Sequence, residues 1–134
     1  MPSALPTALR PTARCGDVAV VLFGAWNLLM WGARVRNIVV DPDLDTTARL
    51  AWVVPAVLFA AGGAVALLHR FVRTTVTRRV VVVTAVGALL YWPVRTVLLV
   101  GNGHPAAFVV VHLVLAVVSC ALAAGVLLRS QPSR

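Results

Sequence analysis

The chain has 134 residues, 60% of them hydrophobic and only 12% charged, with a mean hydropathy of +0.94. A soluble globular domain carries about 25% charged residues, so this chain has too few polar side chains to cover a water-facing surface. The formal net charge is +8, and every basic residue is an arginine. Most arginines flank apolar segments instead of sharing one soluble face, which argues against a nucleic-acid partner.

Four long apolar segments divide the chain. Each is close to the ~20 residues that an α-helix needs to cross the ~30 Å hydrocarbon core of a bilayer. The predicted fold class is therefore an all-α membrane protein with four transmembrane helices, arranged as two antiparallel hairpins. The predicted helices cover residues 17–39, 50–68, 80–100 and 107–128, between a flexible tail at 1–16 and a second tail at 129–134.

The first helix is predicted to begin near Asp17, because an acidic residue suits a helix N-terminus. An acidic loop with Asp41, Asp43 and Asp45 follows it. In the second helix, Pro55 is expected in the first turns, where a missing N–H is best tolerated.

The third helix contains Pro93, which frees the carbonyl of Leu89 and predicts a kink there. The loop at 101–105 is short. Helices three and four are therefore predicted to form an antiparallel hairpin.

Arginines are distributed unequally between the two sides of the predicted bundle. One side collects both termini and the loop at 69–79, while the other collects the loop aspartates and Arg49. By the positive-inside bias, both termini and the 69–79 loop are predicted to be cytoplasmic, in a multi-pass protein of the cell membrane. The loop arginines are expected either to contact anionic lipid head groups or only to set the topology. They are Arg70, Arg73, Arg78 and Arg79.

The two predicted hairpins share a motif. A shift of 61 residues superposes Trp31 on Trp92 and Arg34 on Arg95. The other matches are mostly Val and Ala, which this composition also gives by chance. The motif indicates a degenerate parallel repeat about an axis along the membrane normal.

The sequence W-x-x-R-x-R-N-I at 31–38, followed by Asp-Pro at 41–42, resembles the first helix and loop of a family of small actinobacterial integral membrane proteins of unknown function. Those proteins are single helical hairpins. The run at 105–119, with its A-F-x-x-x-H motif, is similar to their second helix. The likeness is thus split between the two hairpins, and it implies a membrane hairpin but no particular activity.

Among the ionisable residues of the apolar segments, where charge is costly, three share one layer. Counted at ~1.5 Å per residue from the outer helix ends, Arg34 and Arg95 lie roughly 9 Å deep and His112 roughly 8 Å deep. Trp31 and Trp92 lie one turn deeper. We expect these five residues to form an outward-facing pocket for an anion such as a lipid phosphate, because arginine matches phosphate geometry and tryptophan provides a cation–π wall.

A simpler alternative needs no ligand. The arginines near the helix ends would snorkel to the head groups, Arg34 and Arg36 would pair with Asp41 or Asp43, and His112 would donate to a carbonyl across a helix interface. Arg95 is the exception, since its own hairpin has no carboxylate near it.

Small and polar residues predict close helix packing. Asn27 lies near mid-membrane and is expected to hydrogen-bond to a neighbouring helix. Helices two and four each carry a stripe of small residues, which favours packing within the subunit or in an oligomer. The stripes are Ala56, Ala60, Gly62, Gly63 and Ala64, and Ala116, Ser119, Cys120, Ala123 and Ala124.

The sequence offers no catalytic set, cofactor fingerprint or metal-ligand cluster, so we expect no enzymatic activity, no cofactor and no metal. The chain resembles small four-helix multidrug exchangers in length and helix number, but it contains no glutamate, which argues against carboxylate-based proton coupling. Haem between helices would need facing histidines at one depth, and only two copies of His112 in a symmetric dimer could supply them.

Three functional hypotheses follow. The first is a non-enzymatic accessory or assembly subunit that packs against a partner membrane protein or another copy of itself. The second is a lipid- or anion-binding, transporter-like protein that uses the Arg34, Arg95 and His112 pocket. The third is a haem- or quinone-associated redox subunit. Anionic lipids of the bilayer are expected partners in every case.

Overall fold

The computed structural model describes residues 12–130, with side chains from residue 18 onward. All four helices are long and apolar enough to span a membrane. The prediction of an all-α membrane protein with four spanning helices is therefore confirmed. The helices are α1 (Thr12–Val40), α2 (Thr46–His69), α3 (Thr75–Gly101) and α4 (Ala106–Arg129).

The helices form a ring in which each packs on its neighbour along the chain and α4 closes on α1. The most extensive contacts are α1 with α2 and α3 with α4, so the two hairpins are the main packing units. The bundle has two ends. We call the end with the loops at 41–45 and 102–105 the acidic end, and the end with the loop at 70–74 and the C-terminus of α4 the basic end.

Side-chain caps move two helix starts from their predicted positions. Helix α2 begins at Thr46 because Asp45 accepts a hydrogen bond from the Ala48 N–H at 2.9 Å. Helix α3 begins at Thr75 because Thr74 and Thr77 form a capping box. Arg78 and Arg79, predicted in a loop, consequently lie in the first turns of α3.

The other differences concern the tails and the prolines. Helix α1 begins at Thr12, so the predicted tail at 1–16 is partly helical, and residues 1–11 and 131–134 lie outside the described residues. Because α2 begins early, Pro55 lies in its third turn instead of its first turns. Helix α3 continues through Pro93 to Gly101, so the missing N–H does not end it.

Helices α1 and α2 meet backbone to backbone where Gly24 faces Gly63. A Cβ atom added to Gly63 would lie 2.8 Å from the Gly24 carbonyl oxygen, and one added to Gly24 would lie 2.9 Å from the Gly63 carbonyl oxygen. Only glycine allows this approach. Most of the predicted small-residue stripes are likewise buried inside the chain, including Ala56, Gly62, Gly63, Ala116, Ser119 and Ala123.

Two polar contacts lie near the middle of the bundle. The Trp26 indole N–H donates to the Ser119 hydroxyl at 2.9 Å and joins α1 to α4. Buried Asn27 donates to the Phe23 carbonyl of its own helix at 2.9 Å, so the expected bond to a neighbouring helix is wrong. The reason is packing, because Asn27 lies against the backbone of Gly63, whose polar groups are already used inside α2.

Candidate functional site

The five residues predicted to form a pocket lie together near the acidic end. Arg34, Arg95 and His112 each lie six residues from the acidic-end terminus of their helix, about 9 Å along its axis. Trp31 and Trp92 lie one turn deeper, with ring centroids 6.0 Å apart. All five line one cavity of about 40 Å³, which has room for a few water-sized groups.

The floor of this cavity is an aromatic cluster that sequence reasoning only half identified. Trp31 stacks on Phe59 at a centroid distance of 4.8 Å and meets Tyr91 edge-on at 5.1 Å. Tyr91 meets Trp92 edge-on at 5.8 Å and Phe59 at 5.5 Å. Residues of α1, α2 and α3 are thereby joined into one apolar layer that closes the cavity from below.

Arg95 has an aromatic partner that the sequence analysis missed. Its Cζ atom lies 4.8 Å from the centroid of the Trp52 ring on α2, a cation–π geometry. The one signal in the sequence was the position of Trp52 near the acidic end of α2, which is close in depth to Arg95.

Arg34 is half-buried, and no ion pair joins it to Asp41 or Asp43. The Asp41 carboxylate instead accepts the Asp43 N–H at 3.0 Å. Arg49 closes the same loop by donating to the carbonyls of Asp41 at 2.7 Å and Leu44 at 3.1 Å. The alternative in which Arg34 pairs with a loop aspartate is therefore wrong.

His112 is buried and bonded to its own helix. Its Nδ1–H donates to the Phe108 carbonyl at 2.9 Å, so the expected bond across a helix interface is wrong. A carbonyl can only accept, so the proton of a neutral ring lies on Nδ1. The other nitrogen, Nε2, has no hydrogen-bond partner in the described part of the chain. It accepts a hydrogen bond when the ring is neutral and donates one when it is protonated.

A larger groove of about 680 Å³ adjoins the cavity at the acidic end. Arg34, Arg95 and His112 line both, and the groove adds Trp52 of α2 and Asp41 of the acidic loop. Two guanidinium groups and one imidazole therefore converge on connected space above an apolar floor. This arrangement suits a compact anion with several acceptor oxygens.

The arginines predicted to meet lipid head groups lie at the basic end and differ from one another. Arg78 donates to the Ser130 carbonyl at 2.9 Å, which satisfies a free carbonyl at the end of α4. Arg73 also has a contact within the protein. Arg70 and Arg79 are exposed. Arg78 consequently has a structural role that the sequence did not indicate.

The acidic end has two histidines, His104 in the loop before α4 and His112 on α4. Phe108 lies between them, with ring centroids 5.1 Å from His104 and 4.1 Å from His112. Within the described residues, no group of three His, Cys, Asp or Glu side chains could hold a metal ion. The polar residues that line the larger groove are Arg34, Asn37, Asp41, Arg95, His104 and His112.

No family model, curated protein or solved structure matches this chain. The resemblance to small actinobacterial membrane proteins, and the degenerate repeat, therefore stay predictions.

Proposed function

We propose that this multi-pass membrane protein binds the phosphoryl group of an anionic ligand at the acidic end, and that it acts by binding instead of catalysis. The observation that supports this most is the convergence of Arg34 and Arg95 on one cavity without a carboxylate partner in the described part of the chain. Arginine at this depth in a bilayer is costly unless an anion or water compensates it.

A phosphoryl group matches the hydrogen-bonding groups of the pocket, which are two guanidinium groups and one imidazole nitrogen. Each guanidinium presents a planar fork that matches two phosphate oxygens, and the dry aromatic floor strengthens these charge-assisted bonds. The Nε2 atom of a neutral His112 needs a hydrogen-bond donor. A phosphate monoester with one protonated oxygen supplies it, while its other oxygens accept from Arg34 and Arg95.

The direct test is phosphate binding by the purified chain in maltoside micelles. Inorganic phosphate and glycerol phosphate are titrated by calorimetry. Each of Arg34→Gln and Arg95→Gln should weaken binding by roughly 10- to 100-fold, because each removes a charge-assisted bond of about 1.5–3 kcal/mol.

Arg36→Gln is the matched control. It removes the same charge from the same helix as Arg34→Gln, but Arg36 is exposed and lines neither the cavity nor the groove. An equal loss in this control, or no binding by the unaltered chain, would contradict the proposal.

The acidic end should face the outside of the cell, with both termini in the cytoplasm of the cell-membrane protein. The unequal arginine distribution supports this orientation. In a variant without Cys15 and Cys120, a membrane-impermeant maleimide should label Asn102→Cys in intact cells and leave Val72→Cys unlabelled. The reverse pattern would invert the orientation.

The role of an accessory or assembly subunit stays a prediction, as does a homo-oligomer. The small-residue stripes that suggested it are largely buried within the chain, so they no longer require a partner helix. Purification in mild detergent would reveal a stoichiometric partner protein if this role is the correct one.

A further inference from the structure

A long apolar groove runs along the outside of the bundle between α2 and α3. Its acidic-end half has a volume of about 470 Å³ and includes Trp52 and Arg95. Its basic-end half has a volume of about 550 Å³ and includes Val83 and Arg79. Phe59 and Gly87 line both halves, so the two halves adjoin at the level of these residues.

The groove lies between two helices that contact each other less extensively than the helices within either hairpin do. Gly87 has no side chain, and a Cβ atom added there would lie 3.5 Å from the Phe59 ring, which is ordinary contact. Apart from the surrounding α3 backbone, no other group lies within 4 Å of that carbon. A larger side chain at position 87 would therefore occupy the middle of the groove without striking backbone.

The α2–α3 groove and the phosphoryl pocket share residues. Trp52 and Arg95 line the acidic-end half of the α2–α3 groove, and they also line the 680 Å³ groove that adjoins the pocket. Tyr91 lines this half of the groove and the pocket itself. A ligand whose anionic group contacts Arg95 thus has an apolar groove leading away from that contact, along the outside of α3.

We infer that the ligand is an amphiphile of the polyprenyl monophosphate class, with its phosphoryl group in the pocket and its single chain in the α2–α3 groove. This inference rests on the proposed function. From Arg95 to Arg79 the groove follows α3 for about 24 Å. One leaflet offers about half of a ~30 Å hydrocarbon core. The groove is therefore longer than a phospholipid acyl chain, and it suits a single longer chain. A lipid with two chains side by side would not fit one narrow groove.

Lipid tails are as apolar as the groove, so the chain adds affinity through shape and packing. The comparison must therefore be made among amphiphiles. Native mass spectrometry of the full chain in micelles would follow binding of farnesyl monophosphate, a longer polyprenyl monophosphate and dioleoyl phosphatidic acid. The longer polyprenyl monophosphate should bind at least about tenfold more tightly than phosphatidic acid, with farnesyl monophosphate between them.

Two variants block the groove. Gly87→Leu fills its middle, and Val83→Trp covers its basic-end half from an exposed position that tolerates a large side chain. Both should abolish the preference for the long chain and leave the affinity for inorganic phosphate unchanged. Gly125→Leu is the control, because Gly125 lies on α4 with nothing within 4 Å of an added Cβ. It should keep the preference.

The outcomes separate the two proposals. If inorganic phosphate binds but the long chain brings no advantage, or if Gly125→Leu abolishes the preference as fully as Gly87→Leu does, the groove assignment is wrong and the phosphoryl pocket stands. If neither phosphate nor any amphiphile binds, the pocket is wrong as well. If Arg79→Gln weakens amphiphile binding and Arg95→Gln does not, the head group lies at the basic end and the assignment is overturned.

Discussion

The two ends of the bundle use their polar side chains in opposite ways. At the basic end they bond to one another and to the backbone. Thr74 and Thr77 cap α3 reciprocally, the Thr77 hydroxyl lies 2.7 Å from Nδ1 of His69, and Arg78 closes the end of α4 through the Ser130 carbonyl. These groups complete the fold.

At the acidic end, the polar groups below the loops face open space. Arg34 has no ion pair with the neighbouring aspartates, and Nε2 of His112 has no partner within residues 18–130. Arg95 rests on a tryptophan ring. Polar groups inside a membrane protein are normally satisfied internally, so those left on a cavity support the proposed binding site at the acidic end.

The strongest test of this difference between the two ends is to remove one arginine from each and to compare the unfolding free energies. Arg34→Met should raise the unfolding free energy by roughly 1–2 kcal/mol, because it removes a costly uncompensated charge. Arg78→Met should lower it by up to about 1 kcal/mol, because a carbonyl at the end of α4 loses its donor. Unfolding by SDS titration in mixed micelles measures both. The same sign for both variants would erase the difference between the ends.

A cap mutation tests the structural role of the basic end alone. Thr74→Ala removes the N-cap of α3 and should cost about 1 kcal/mol of unfolding free energy, with no change in phosphate affinity. Thr75→Ala changes the adjacent threonine, which makes no cap bond, and is the control. Loss of phosphate binding in Thr74→Ala would show that the two ends are not independent.

The contact between Arg95 and the Trp52 ring tests the acidic end alone. Trp52→Leu keeps an apolar side chain but removes the cation–π contact, worth about 0.5–1 kcal/mol at a partly exposed site. Phosphate affinity in calorimetry should fall by roughly two- to fivefold. Phe71→Leu, an exposed aromatic at the basic end, should leave it unchanged. Equal effects of the two substitutions would exclude a specific role for Trp52.

The smallest effect is expected for a contact in the middle of the bundle, between Trp26 and Ser119. Trp26→Phe removes the bond to Ser119 that joins α1 to α4, and a hydrogen bond inside a membrane contributes about 0.6 kcal/mol on average. SDS unfolding should show this loss, while phosphate affinity should not change. A change in affinity would mean that the mid-bundle contact also positions the pocket.

The sequence predicted the depth of the pocket residues because helical rise is regular. Arg34, Arg95 and His112 could be placed in one layer by counting from the apolar boundaries alone. The tryptophan layer followed in the same way. Depth, however, does not determine how each helix is rotated about its own axis. The contact between Arg95 and Trp52 could therefore not be derived by counting residues.

The remaining differences have local causes. The starts of α2 and α3 depend on single side-chain caps, Asp45 and Thr74, which lie outside the apolar pattern. Asn27 and His112 both bond to the carbonyl four residues earlier in their own helix. That carbonyl is always within reach, whereas backbone groups on a facing helix are occupied by their own ladder.

The Gly24–Gly63 contact has a mechanical consequence. Where two helices touch through their backbones, neither can slide or tilt against the other without a steric clash. We therefore expect α1 and α2 to move together as one rigid unit. At the boundary between α2 and α3, Gly62 also packs closely, but against the side chain of Thr84 and not against backbone. If the bundle parts to admit a chain sideways from the bilayer, the opening lies along that boundary, with the first hairpin swinging as one rigid body.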